Sequence, residues 1–192
     1  MNKGYLFILT TAFLFGTMET ALKFFGSLFH PIQITVLRFF IGGFMLLPLA
    51  RAALKTHGAV LTKKDYLFFA KAGFIGVFVS MIFYQLAVVY GKAAVSGVLF
   101  SCNPIFVAVW AHFLLHETIY RYVISSLVLS AVGILSIVNP FHFRGTYLSV
   151  ILIMLAAVTF GLYSVMGRPA CQRLGGVTVT SYSFIFGAAE LL

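Results

Sequence analysis

Hydrophobic residues in this chain gather in long runs, and the polar residues collect in the short gaps between them. A helix crossing roughly 30 Å of hydrocarbon needs about 20 mostly apolar residues, and lipid leaves no other way to satisfy a single backbone strand. Six runs meet that length: 4–25, 31–50, 66–90, 93–115, 120–138 and 146–167. A seventh begins near Val177 and is still apolar at Leu192. The gaps hold turn formers, FHP before the second run, YGK before the fourth and NPFHFRG before the sixth. Only 51–65 has any length, and no gap could house a soluble catalytic domain. The pattern predicts an all-α, polytopic transmembrane helix bundle.

Composition removes the alternative solvent. Of 192 residues 61% are hydrophobic and 9% charged, with mean hydropathy +1.06. A soluble domain carries about 25% charged residues to cover its outside. The net charge of +9 does not point to nucleic acid, because the basic residues sit between apolar runs instead of forming one polar face. Their distribution predicts orientation instead. With the N-terminus cytoplasmic, the inner side collects Lys3, Arg51, Lys55, Lys63, Lys64, Lys71, Arg121, Arg168 and Arg173, against Lys23, Arg38, Lys92 and Arg144 outside. That bias follows the positive-inside rule. The N-terminal MNKGYLFILTTAFLFG lacks a small-residue cleavage site and is read as a retained first helix. Cys102 in an apolar run and Cys171 in a loop have no zinc spacing, and their different depths disfavour a disulfide.

An internal repeat is the next feature. RFFIGGFMLLP (Arg38–Pro48) lies over YSFIFGAAELL (Tyr182–Leu192), matching Phe40, Ile41, Gly43 and Leu47, and FG at Phe15–Gly16 falls opposite FG at Phe160–Gly161 with one residue of slippage. An offset of five helices is odd, so the second copy crosses in the opposite sense. Inverted repeats mark secondary transporters. Chance alignment of apolar helices is the competing explanation.

These residues resemble a known family. FG…K (Phe15, Gly16, Lys23) followed by LRF (Leu37–Phe39) is similar to the WG…K and LRF signals of EamA-type drug/metabolite transporters. YQLAVVYGKAAVSGVLFSCNPIFVAV (Tyr84–Val109) and HE at His116–Glu117 before a Gly-bearing helix extend the likeness. Phe15 stands where that family usually has Trp. The resemblance implies ten helices in two inverted five-helix repeats. Residues 1–140 would then be a complete first repeat, and 141–192 the opening of the second, partial here. It also implies a transporter of a small metabolite, often outward.

The charged residues inside the runs carry the candidate chemistry. At 1.5 Å per residue, Glu19 lies about 22 Å above an inner end at Gly4, and Arg38 about 10 Å below an outer face at Pro31. A lone charge at mid-membrane costs roughly 2.5–3.5 kcal/mol on insertion scales. One expectation is therefore that Glu19 and Arg38 meet across the first two helices, on a polar cavity. The other is that Lys23 and Arg38 snorkel outward and Glu19 satisfies Lys23. Glu190, about 20 Å up the seventh helix, would place a second carboxylate at a similar level, which would suit proton coupling; the alternative is that its depth, so near the end of the run, is not fixed. Asn103-Pro104 sits midway along the fourth helix, where proline frees the Phe100 carbonyl. Asn103 either answers that carbonyl or faces a substrate. Gln85 is a further cavity candidate, while Tyr84 and Tyr163 read as an interfacial aromatic belt. Small residues every fourth position (Ala72, Gly76 and Ser80; Ala93, Gly97 and Ser101; Ala157 and Gly161) read as packing seams. Glu117 and Arg121 are expected to pair at an inner turn. His112 and His116 have metal-ligand spacing but no third ligand, and no catalytic or cofactor fingerprint occurs.

The expectation is thus a cofactor-free, metal-free secondary transporter, not an enzyme, in a bacterial-type inner membrane. It would export a small metabolite such as an amino acid by alternating access. Its partners would be that small-molecule substrate, the lipid bilayer and a candidate coupling proton. A homo-oligomer is an option if the chain is truly this short. A membrane-embedded lipid-modifying enzyme and a non-transporting assembly subunit are the alternatives.

Overall fold

A computed structural model describes residues 4–6, 9–11, 13–14, 17, 31–138 and 147–192. The described part of the first run is helical. The second span is one helix, Pro31–His57, and the third runs from Lys63 to Tyr90. The fourth occupies Ala93–Phe100 and Asn103–Leu115, the fifth Arg121–Val138, the sixth Tyr147–Leu174 and the seventh Gly176–Ala189. Among the described residues four spans, the second, third, fourth and sixth, are long and apolar enough to cross a membrane. The chain is an all-α polytopic membrane helix bundle.

Several helices outlast their apolar runs. The second continues seven residues past the expected end at 50, to His57, which reduces the expected long gap to a tight turn. Thr62 begins the third: its N–H and hydroxyl both donate to Asp65 Oδ2 at 2.8 Å, closing a capping box. The sixth helix runs through Pro169 to Leu174, so Cys171 is helical and not in a loop. A proline removes one backbone bond, but the turns on either side are held by Val165 and Leu174, both fully buried.

The sixth span is the hub. It packs along the third and both halves of the fourth, while the seventh packs along the second and third. The fifth lies against the first half of the fourth and is largely exposed. Hydroxyls and one indole tie the hub across helices. Ser80 Oγ donates to the Ala156 carbonyl at 2.9 Å, Ser149 Oγ to Ala87 at 2.7 Å, and Trp110 Nε1 to Val158 at 3.1 Å. Thr178 and Ser181 on the seventh span donate to Ala50 and Gly43 on the second, at 3.2 and 2.8 Å. Each such bond contributes about 0.6 kcal/mol on average in a membrane bundle.

The seam Ala72–Gly76–Ser80 is buried, as is Ala157–Gly161. At Gly73 an added Cβ would lie 2.6 Å from the Ser183 carbonyl oxygen and the Gly187 nitrogen, so the third and seventh spans meet backbone to backbone. The seam expected at Ala93–Gly97–Ser101 does not form as one face: Ser101 is exposed and returns its hydroxyl to the Gly97 carbonyl at 3.1 Å. The physical reason is a break in the helix at that residue.

Candidate functional site

Two irregular stretches face the hub. In the third span the six residues Phe74–Val79 are π-helical, an over-wide turn that inserts a residue into the ladder and is common at functional sites. This stretch touches both the sixth and the seventh spans. Gly76 within it lies directly under the Tyr163 ring, with no room for a side chain.

In the fourth span the helix stops at Phe100 and restarts at Asn103. Ser101 N–H reaches back to the Gly97 and Val98 carbonyls and Cys102 N–H to Leu99, tightening the last turn. Pro104 therefore sits at the opening of a new helix, where its missing N–H costs nothing. Discontinuous membrane helices expose backbone ends at depth, and such breaks persist only where protein or a cavity answers them.

Three candidate polar side chains lie on the second, third and fourth spans. Arg38 reaches from the second span to the third, its Nη2 3.8 Å from Met81 Sδ, with its guanidinium 4.7 Å from the Phe39 ring centroid. Gln85 stands one turn beyond Met81 on the same face of that helix. It is 5% exposed, and its Nε2 has no hydrogen-bond partner. Asn103 Oδ1 is likewise buried and unpartnered, and faces Gly161 of the sixth span. Phe160 links the two halves: its ring lies 5.6 Å from Phe100 at the break, and it packs on the cluster of Phe39, Val77, Met81 and Ala188. Glu190 terminates the seventh helix beside that cluster, exposed, its N–H donating to the Phe186 carbonyl at 3.0 Å. Glu19 lies outside the described residues, as do Lys23 and the Phe15–Gly16 pair.

Two of these placements revise the sequence reading. Tyr84 is 4% exposed, its ring edge-on to Phe100 at 5.0 Å, so it packs inside and does not belong to an interfacial belt. Tyr163 is half-buried over the π-helical stretch. Neither the interior contact nor the π turn leaves a trace in local sequence.

A cavity of about 450 Å³ opens beside the break, lined by Asn103, Val107, Ala111, Glu117, Val123 and Arg168 among others. Its volume falls in the range of small-molecule sites, roughly 300–1,000 Å³. Asn103 supplies a buried polar atom, and Glu117 and Arg168 are charged and half-exposed.

The ion pairs differ from expectation. Glu117 accepts from Arg168 Nη1 through both carboxylate oxygens at 2.8 Å, not from Arg121. The turn explains it. His116 adopts φ 53°, and His112 Nδ1 lies 2.9 Å from the Glu117 carbonyl oxygen, which swings the Glu117 side chain towards the sixth span. Asp65 is 5% exposed and accepts from Arg173 as well as from Thr62. The sequence held a signal for Asp65 in TKKD (Thr62–Asp65), the capping-box spacing before an apolar run. Nothing local could have named its arginine.

The family model for the EamA-like transporter family matches residues 2–139. An uncharacterized transporter of Clostridium kluyveri is 34% identical over all of this chain and 64% of its own length. One from Archaeoglobus fulgidus is 27% identical over all of this chain and 66% of its own length. The uncharacterized transporter YetK of Bacillus subtilis is 29% identical over 79% of this chain and 47% of its own. The chain thus spans less than two thirds of these relatives' lengths. No solved structure matches it.

Proposed function

We propose, from the premise that this chain belongs to the EamA-like transporter family, that it is the first repeat and the opening of an inverted second repeat of a secondary transporter. The names of the relatives indicate transport and not catalysis. On this reading the protein exports a small metabolite, an amino acid or a similar molecule, across the cell membrane by alternating access. The N-terminus is cytoplasmic, with the turns at 58–62 and 116–120, flanked by Lys55, Lys63, Lys64 and Arg121, on the same side.

The carrying observation is the break at Ser101–Cys102 with the unpartnered amides of Gln85 and Asn103 at hand. An orphaned buried amide costs about 1–3 kcal/mol, and a ligand or water that fills its bonding capacity recovers that. A substrate with its own polar groups at one end and an apolar body suits a path through the cavity beside Asn103, walled by Val107, Ala111 and Val123. The second observation concerns the repeat. The two matched stretches lie against each other, with Phe39 and Phe184 rings edge to face at 4.7 Å and Gly43 close against Ile185. That is the arrangement expected where a pseudo-two-fold axis relates two repeats. On this reading Arg38 and Glu19 flank the path, and Glu190 is the corresponding carboxylate of the second repeat, available for proton coupling.

The test is accumulation of labelled amino acids and amphipathic amines by inside-out vesicles carrying the chain, with and without an imposed pH gradient. Gradient-dependent accumulation that falls at least about tenfold in Asn103→Ala, Glu19→Gln and Arg38→Gln is expected, since a lost positioning contact of about 1.4 kcal/mol is one decade. Variants that accumulate substrate like the parent chain would remove these residues from the path.

A further inference from the structure

The strongest unassigned feature is at the basic end of the sixth span. Arg168 and Arg173 stand five residues apart, which on an α-helix turns them about 140° from one another. They reach opposite flanks. Arg168 is held by Glu117 in the turn between the fourth and fifth spans, and Arg173 by Asp65 at the start of the third. Each carboxylate is itself fixed before the arginine arrives, Glu117 by the left-handed turn at His116 and Asp65 by the Thr62 capping box. These pairs use two of the three described acidic residues.

We propose that these two pairs form a clamp that closes the basic face and must release for that face to open. The clamp rests on the transport reading for its purpose, though not for its geometry. The sixth helix cannot tilt towards either flank without breaking one pair, and its end cannot withdraw without breaking both. Glu117 and Arg168 also line the cavity beside Asn103, so release of that pair unblocks the way to the buried amide. The half-exposed Glu117–Arg168 pair suits the role, because it holds weakly enough to be reversed. Cys171 lies between the two arginines, half-buried against the cluster of Phe69, Leu174 and Val179, and reports on the closure.

The experiment places the full chain in lipid nanodiscs, where both faces meet water, and follows the rate at which a water-soluble maleimide modifies Cys171, read by mass spectrometry of its peptide. Arg168→Gln with Arg173→Gln is expected to raise that rate about threefold to tenfold. Arg168→Glu alone should raise it, and the exchange Glu117→Arg with Arg168→Glu should return it to the parent value. Restoration by reversed charges separates a clamp from misfolding, which no exchange would repair. A parent-like rate in the double glutamine variant overturns the clamp, and so does an exchange variant as reactive as Arg168→Glu. The labelling needs no substrate. Failure to transport would count against the transport reading and leave this result standing.

Discussion

Replacing Gly73 with alanine tests the backbone-to-backbone contact of the third and seventh helices. The added Cβ would sit 2.6 Å from the Gly187 nitrogen and 2.6 Å from the Ser183 carbonyl oxygen. Carbon at ordinary contact needs about 3.5 Å, so the third and seventh helices must part by most of an ångström. The obstructing atoms are backbone, and no rotamer change relieves them. Overpacking of this kind costs about 1–3 kcal/mol. At about 2–4 °C per kcal/mol for a chain of this size, the thermal midpoint should fall by roughly 2–12 °C. The assay is thermal unfolding of the detergent-solubilised protein followed by the fluorescence of Trp110, the chain's single tryptophan. Gly42→Ala supplies the control, since its Cβ meets nothing within 4 Å, and alanine's better helix propensity should leave the midpoint unchanged or higher. Gly187→Ala meets the reciprocal obstruction at the Gly73 carbonyl oxygen. The double variant should therefore cost less than the sum, because the helices separate only once. A Gly73→Ala protein as stable as Gly42→Ala would refute the backbone contact.

Gln85→Leu should raise stability by about 1 kcal/mol, as it removes an orphaned buried amide, while lowering vesicle accumulation; a stabilised variant with full transport would mean that Gln85 serves neither end. Ser181→Ala and Thr178→Ala should each cost about 0.6 kcal/mol in the same melts, through loss of the bonds to Gly43 and Ala50. Gly175→Ala should cost about 1–2 kcal/mol, since φ there is +83° and the Cβ would press on the His57 ring at 3.2 Å. Lys64→Cys should react with an impermeant maleimide only in inside-out vesicles and Lys92→Cys only in right-side-out cells; the reverse pattern would invert the orientation.

Much of the site was within reach of sequence reasoning, but in unequal parts. Asn103 and Gln85 were legible because an amide in an apolar run has no solvent to satisfy it, and both carry an unpartnered buried atom in the structure. Glu190 was placed on the seventh span, but its exposure at the helix end was not foreseeable from its position. Glu117 was assigned the nearest cation in sequence, Arg121. The backbone turn at His116 instead delivers it to Arg168, 51 residues away. Such pairing is a matter of which helices are neighbours, and that is not written in spacing.

The runs themselves determined the class of molecule. Their length against the hydrocarbon thickness, and the scarcity of charge, left a membrane helix bundle as the only solvent-compatible answer. The approximate bounds of the described spans followed from the same local balance. Only the tertiary structure decided that the third span carries a π turn, that the fourth is two helices, and that two arginines of the sixth are held from opposite flanks. Each of these depends on contacts between segments far apart in the chain. Burial in lipid acts on one residue at a time and can be read along a line; packing and pairing act between helices, and exist only once the helices are assembled.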